Sequence, residues 1–194
     1  MNEAQTSHAP ESEFQTALQR AGKERKTVLA FFSKQNCIGC RDLETLSMSD
    51  QAVQAFLEEH CVVIHLILNR PSDSMLFRQY QVIWTPSLLW LDRRGVAHYR
   101  SEGFLGPQEL LAALRIGVAR SKLAWARYHE AQSLLGAVAD ERNNPYAAEA
   151  LFYLGMVHYL QTQSHEALMQ AWRRLRAEHP NSPWCARIPP HQGA

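Results

Sequence analysis

The chain lacks a long apolar run, an excess of charge of one sign and a large set of cysteines. No apolar stretch approaches the roughly 18 residues that would cross a bilayer, so we expect no membrane contact. The 20 basic and 19 acidic residues leave a net charge of +1, which argues against a nucleic-acid partner. The hydrophobic fraction of 46% is ordinary for a globular protein with a buried core.

Two further absences concern the N-terminus and the cysteines. Residues 1–10 are polar and lack the basic and then apolar segments of a secretory signal, so we expect a disordered N-terminus and a cytoplasmic protein. Four cysteines in 194 residues do not make a disulfide framework. Cys61 and Cys185 are isolated, and we interpret each as a small buried side chain.

The pair Cys37 and Cys40 carries the strongest chemical signal in the chain. It follows the apolar run 28–32, which predicts a buried strand. The residues that follow, through Leu46, are predicted to form a helix. The partial positive charge of a helix N-terminus favours the thiolate of the first cysteine. We therefore predict that Cys37 attacks a substrate disulfide and that Cys40 resolves the mixed disulfide.

Metal binding is the competing interpretation of this pair. A tetrahedral zinc site needs four ligands, so two more than the cysteine pair supplies. The nearest additional candidates are His60, Cys61 and His65, on or beside the next predicted strand. The other histidines are scattered, without the spacing of a metal site. We favour redox chemistry and expect neither a metal nor a cofactor.

Helix and strand patterns alternate along the first 120 residues. The predicted helices cover 11–22 and 38–46, begin at a cap at Ser49 or Asp50 and at Pro71, and cover 108–118. The predicted strands cover 28–32, 61–68, 87–91 and 96–99, and the turn 92–95 joins the last two. Strands that alternate with helices pair in parallel, whereas hairpin strands pair antiparallel. The predicted fold class is α/β, a mixed central sheet with helices on both faces.

The sequence after residue 120 has only helical patterns, over 121–141, 145–161 and 165–179. His129-Glu130-Ala131 recurs as His165-Glu166-Ala167, a period typical of stacked helix pairs. The pattern around Leu154-Gly155 and Ala167 resembles a tetratricopeptide repeat, and a helical bundle without repeats is the alternative. We therefore divide the chain into 1–10, 11–120 and 121–194. Aromatic residues along the last segment indicate packing or a partner-binding face.

Residues 11–118 resemble the thioredoxin superfamily. The resemblance rests on the strand before Cys37-Ile38-Gly39-Cys40, on Arg41-Asp42-Leu43-Glu44 after it, and on Thr85-Pro86 before a later strand. The form is similar to the disulfide reductases and interchange domains of the superfamily. The resemblance implies that Pro86 has a cis peptide bond, faces the cysteines and, with Thr85, positions the backbone of an extended substrate. Otherwise Pro86 is a trans proline that ends a loop.

The resemblance also exposes departures from thioredoxin. Phe31 falls where thioredoxins bury an aspartate that assists proton transfer to the second cysteine. Glu44, one turn beyond Cys40, and His65, in the second strand, are the candidates for a replacement proton shuttle. A solvated helix charge and a hydrogen-bonded, partly buried histidine are the alternatives.

An apolar rim around Cys37 is predicted from Ile38, Trp84 and Phe104. Trp84 stands where a glycine usually flanks the substrate groove of the superfamily. With Gly103, these residues complete the substrate-binding candidates, although single exposed apolar residues are common on protein surfaces.

The predicted function is a thiol–disulfide oxidoreductase that acts on protein disulfides. Electrons would come from a thiol reductant or a reductase, and the helical tail would bind a protein partner or another copy. The alternative is an adaptor with a redox-weak domain. Two departures from thioredoxin favour it, Phe31 and also Asn36, which stands where a tryptophan usually precedes the first cysteine.

Overall fold

The computed structural model describes residues 13–141 and 143–190. The predicted disorder of residues 1–10 and the predicted helix start at residue 11 lie outside the described residues. The helices are α1 (Glu13–Glu24), α2 (Ile38–Asp42), α3 (Gln51–His60), α4 (Ser74–Gln79), α5 (Pro107–Ala124), α6 (Tyr128–Ala139), α7 (Ala147–Thr162) and α8 (His165–Glu178). The strands are β1 (Thr27–Ser33), β2 (Cys61–Ile67), β3 (Ser87–Leu91) and β4 (Ala97–Glu102). A π-helical turn, Leu43–Ser47, continues α2, and a 3-10 turn, Cys185–Arg187, follows α8.

The sheet is mixed, with the strand order β2-β1-β3-β4. β1 pairs in parallel with β2, from Thr27 opposite Cys61 to Ser33 opposite Ile67. β3 is antiparallel to both β1 and β4. The predicted mixed sheet and its antiparallel hairpin are therefore confirmed, although β4 runs further than the predicted strand over 96–99.

Helices cover both faces of this sheet, and β1 is buried along its whole length. Alternate side chains of a strand point to opposite faces. Val28, Ala30 and Phe32 accordingly pack in the cluster that contains α1 and α4 residues. Leu29 and Phe31 pack on the other side, with Cys40 and with residues of α3 and α5.

Local polar contacts set the limits of several elements. The Asp50 carboxylate accepts hydrogen bonds from the backbone N–H groups of Ala52 and Val53, at 2.9 and 3.1 Å, and so caps α3 as predicted. In the β3–β4 turn, Asp92 accepts from the N–H groups of Arg94 and Val96. These bonds close the predicted turn at residues 92–95.

The C-terminal helices pack serially, α6 between α5 and α7, and α8 against α7. The predicted limits 108–118 and 121–141 are wrong, because α5 continues to Ala124 and the chain turns at 125–127. The predicted domain boundary at residue 120 thus lies inside α5. One set of α5 residues (Ala112, Ile116 and Ala119) packs with the later helices, and another (Leu110, Leu114 and Val118) packs on the sheet.

Within the described residues, we find no helix with the length and apolar character that a membrane span requires.

Candidate active site

The two cysteines lie where β1 ends and α2 begins. Cys37 is the N-cap of α2, and its Sγ accepts a hydrogen bond from the backbone N–H of Cys40 at 3.2 Å. The two residues form a disulfide, with their Cα atoms 5.2 Å apart. Cys37 is partly exposed, whereas Cys40 is only 4% exposed. An incoming disulfide therefore meets the Cys37 sulfur first.

A second segment, just before β3, lies against Cys37. The Thr85–Pro86 peptide bond is cis. The Sγ of Cys37 lies 3.7 Å from the Thr85 carbonyl oxygen and 3.6 Å from the Thr85 hydroxyl oxygen. A Cβ on Gly39 would approach Pro86 Cδ to 3.3 Å, so a glycine at this position lets the proline and the cysteine loop lie close together.

Gly103 adjoins the same segment. It has a left-handed backbone, with φ of 91°, and its N–H donates to the Pro86 carbonyl at 2.8 Å. The three predicted rim residues are all exposed: Ile38 by 70%, Trp84 by 64% and Phe104 by 46%. Ile38 directly follows Cys37 and lines the same cleft as both cysteines, Trp84 directly precedes Thr85, and Phe104 directly follows Gly103.

His65 has a polar partner near each nitrogen of its ring, a hydrogen bond at one and a carboxylate at ion-pair distance from the other. Its Nε2 lies 2.6 Å from the Ser33 hydroxyl, and its Nδ1 lies 3.3 Å from a Glu44 carboxylate oxygen. The ring stacks on Phe31 with centroids 4.6 Å apart. Burial lowers the pKa of His65, and the charge of Glu44 opposes that shift. The neutral imidazole, which can accept a proton, is therefore favoured near neutral pH.

Both cysteines, Glu44, His65 and Ser33 line one cleft of about 500 Å³. The predicted shuttle candidates and the redox pair thus share one solvent-filled space. The sequence analysis missed Ser33. Its signal was the two-residue period of β1, which puts Ser33 on the same face as Phe31, opposite the strand that carries His65.

The neighbourhood of the pair offers few metal ligands. Among the additional candidate ligands, Cys61 lies opposite Thr27 at the start of β1, whereas the redox pair follows the end of that strand. No group of three or more His, Cys, Asp or Glu side chains within 13–141 and 143–190 is arranged to hold a metal ion.

Comparisons with known proteins agree with this architecture. Among solved structures, a thioredoxin from Thermus thermophilus aligns with 58% of this chain and 88% of its own, at 25% identity and a TM-score of 0.53. The C-terminal domain of Neisseria meningitidis DsbD, in its reduced form, covers 54% of this chain and 93% of its own, at 20% identity and a TM-score of 0.47. A DsbH oxidoreductase covers 54% and 87%, at 19% identity and a TM-score of 0.44. No curated protein matches the sequence.

The family comparison covers the sheet and the helices that surround it. The model of the thioredoxin-like domain matches residues 14–116, more than half of the chain. The matched region contains both cysteines, Thr85 and Pro86, and it ends within α5. The chain therefore belongs to the thioredoxin-like domain family.

Proposed function

We propose that the protein is a thiol–disulfide oxidoreductase that reduces disulfides in other proteins. The observation that carries the proposal is the Cys37–Cys40 disulfide at the start of α2, with the sulfur of the partly exposed Cys37 against Thr85. The backbone N–H of Cys40 that points at Cys37 Sγ would stabilise a thiolate there, because a hydrogen bond to the charged form favours that form.

The reaction starts from the dithiol. The Cys37 thiolate attacks one sulfur of the substrate disulfide, a Cys37–substrate bond forms, and the substrate S–S bond breaks to release a thiolate. Cys40 then loses its proton and attacks Cys37 Sγ, which restores the intramolecular disulfide and releases the second substrate thiolate. Two electrons have passed to the substrate. A thiol reductant or a reductase returns the pair to the dithiol, without a prosthetic group.

The substrate-binding residues of this proposal are Thr85 and Pro86 with the apolar groups beside them. Ile38, Trp84 and Phe104 are exposed, and in this proposal they offer apolar contact to an extended polypeptide. The bond from Gly103 N–H to the Pro86 carbonyl holds the loop after β4 against this segment.

Glu44 and His65 are the proposed proton shuttle for Cys40. His65 accepts the Cys40 proton, directly or through solvent in the cleft, and the Glu44 carboxylate stabilises the resulting imidazolium. The role belongs to these residues because Phe31 has no ionisable group.

For the tail we propose a tetratricopeptide-like arrangement that binds a partner protein or a second copy. A Cβ on Gly155 would meet the Trp172 side chain at 2.8 Å, so α7 and α8 pack closely where a glycine permits it. Met156, Tyr159 and Leu160 are exposed at helical spacing on α7. Light scattering on the full chain separates self-association from binding of another protein.

The proposed compartment is the cytoplasm. Its support is that Cys61 and Cys185 are free thiols, which a reducing compartment preserves.

The decisive experiment compares wild type with Cys37→Ser and Cys40→Ser in the reduction of insulin by a small thiol. We expect Cys37→Ser to be inactive. Cys40→Ser should accumulate a mixed disulfide with the substrate, visible by mass spectrometry, because the resolving thiol is missing. Cys61→Ser is the matched control, since Cys61 is buried at the other end of the sheet, and it should keep wild-type activity.

Equal activity of wild type and Cys37→Ser would contradict the proposal. If both were inactive, the alternative of an adaptor with a redox-weak domain would replace it.

A further inference from the structure

A second cleft, of about 370 Å³, opens at the end of the sheet opposite the cysteines. Its walls come from the end of α1, the start of β1, the β3–β4 turn and the end of α5. β1 has seven residues and a rise of about 3.3 Å per residue, which separates this cleft from the redox pair by about 20 Å. The cleft is therefore a separate site.

This cleft is lined by five cationic side chains and by a single carboxylate. The cations are Arg25, Lys26, Arg93, Lys122 and Arg127, and the carboxylate is Asp92. The Asp92 carboxylate already accepts hydrogen bonds from two backbone N–H groups of the β3–β4 turn, and it is also hydrogen-bonded to the His98 ring. In a chain with a net charge of only +1, such a concentration of positive charge in a concave site creates a local field that attracts anions.

The partners of these cations leave positive charge uncompensated. Lys122 and Arg127 share the single carboxylate of Glu130. Lys26 pairs with Glu24 at 3.1 Å. Within the described part of the chain, no carboxylate lies within ion-pair distance of Arg25 or Arg93.

The cleft is also built before any ligand binds. Arg25 has a left-handed backbone, with φ of 56°, and its carbonyl accepts from Lys122 Nζ at 3.0 Å and from Arg127 at 3.2 Å. These bonds fix the loop between α1 and β1 to the end of α5. Arg93 lies over Trp125, 4.2 Å from the ring centroid, and a Cβ on Gly22 would touch the Arg93 stem at 3.5 Å.

One polar atom at this cleft lacks a partner. Ser121 is 4% exposed and lines the cleft, and its hydroxyl has no hydrogen-bond partner in the part of the chain that the structure describes. A buried hydroxyl is normally hydrogen-bonded, so an orphaned one beside a basic cavity indicates space for an oxygen-rich ligand.

We infer that this cleft binds the phosphate group of a small molecule. The guanidinium groups of Arg25 and Arg93 present paired N–H donors that match phosphate oxygens, and Lys122 adds a point charge at the floor. A volume of 370 Å³ accommodates a small phosphate compound but not a folded partner. The site is independent of the thiol chemistry.

The test is calorimetric titration of the full chain with inorganic phosphate, pyrophosphate and ADP, each at matched ionic strength in sodium chloride. We expect saturable binding with one site per chain. Arg25→Ala and Arg93→Ala should each weaken the binding of pyrophosphate about tenfold, since each removes charge-assisted hydrogen bonds. The tightest of the three ligands distinguishes free phosphate from a phosphate ester or a nucleotide.

The matched control is the double variant Arg78→Ala with Arg173→Ala, which removes two exposed guanidinium groups from α4 and α8. It should bind pyrophosphate like wild type, and the cleft variants should reduce insulin like wild type. The proposal fails if none of the three phosphate ligands binds saturably, or if the control double variant loses as much affinity as the cleft variants. Malonate, titrated in the same way, is the anion without phosphate, and the proposal also fails if it binds as tightly as pyrophosphate.

Discussion

At the scale of single residues, His65 combines two properties that suit a proton acceptor. Its Nε2 is hydrogen-bonded to the Ser33 hydroxyl, and its Nδ1 lies at ion-pair distance from the Glu44 carboxylate. Its ring stacks on Phe31, and burial lowers the pKa of His65, so the neutral form persists to lower pH than in an ordinary histidine. A neutral ring beside a carboxylate can take up a proton without first losing one.

The proposed shuttle predicts a pH-dependent defect in His65→Gln. At neutral pH, the release of the second substrate thiol should slow by about 100-fold, because Cys40 must ionise without a base. The defect should shrink as the pH rises, because hydroxide in the solvent can then remove the Cys40 proton without the help of His65. In wild type, the same step should slow as the pH falls through the lowered pKa of His65. Single-turnover kinetics with rapid quenching measure this step.

His98→Gln is the control for this prediction. His98 lies on β4, is also partly buried, and its ring is hydrogen-bonded to the Asp92 carboxylate. It should leave the pH profile unchanged. Identical profiles for His65→Gln and wild type would exclude the shuttle, whereas Glu44→Gln should show a smaller defect of the same form.

At the residue level, the cysteine pair and the Thr85–Pro86 segment that the sequence singles out lie in contact in the structure. The cysteine pair and Pro86 could be found because their spacing is a property of the chain itself. Ser33 was missed because its role depends on the register between β1 and β2, which pairs Ser33 with Ile67 and puts it next to His65. That register is a tertiary property.

At the scale of elements, the strands and the limits of α7 and α8 were predictable to within a few residues, whereas the boundary between α5 and α6 was not. The buried strands are short apolar runs, and the helices between β1 and β2 predict the parallel pairing of these two strands. The end of α5 depends instead on Ala126, which has a left-handed backbone with φ of 55°. An alanine rarely adopts this conformation, so the sequence carries no glycine signal at the turn.

Two glycines in the C-terminal helices give a matched prediction about packing. Gly155→Ala should destabilise the protein by about 1–3 kcal/mol, because the added Cβ meets the Trp172 side chain at 2.8 Å and the Leu168 carbonyl at 3.2 Å. Gly136→Ala should stabilise it by about 0.5–1 kcal/mol, because nothing lies within 4 Å of the new Cβ and alanine favours a helix. Urea denaturation followed by circular dichroism measures both changes. If both substitutions were stabilising, the close contact between α7 and α8 would be wrong.

At the scale of the whole molecule, α5 joins the sheet to the later helices. On one side it carries Gly117, where a Cβ would overlap the indole of the fully buried Trp90 on β3. On the other side, Ile116 and Ala119 belong to the cluster that contains α6, α7 and α8 residues. Neither part can keep its core if α5 unfolds, so the sheet and the tail should unfold together.

This coupling predicts that a substitution that destabilises the tail also destabilises the sheet. Cys61 reports on the sheet, because burial raises the pKa of its thiol to about 12 and so protects it from alkylation until β2 opens. In Gly155→Ala, the urea midpoint for alkylation of Cys61 should fall by the same amount as the midpoint for loss of helical signal. Gly136→Ala should raise both midpoints together. A Cys61 midpoint that stays at its wild-type value while the helical signal shifts would show that the two parts unfold separately, and that α5 can remain folded on the sheet after α6, α7 and α8 have left it.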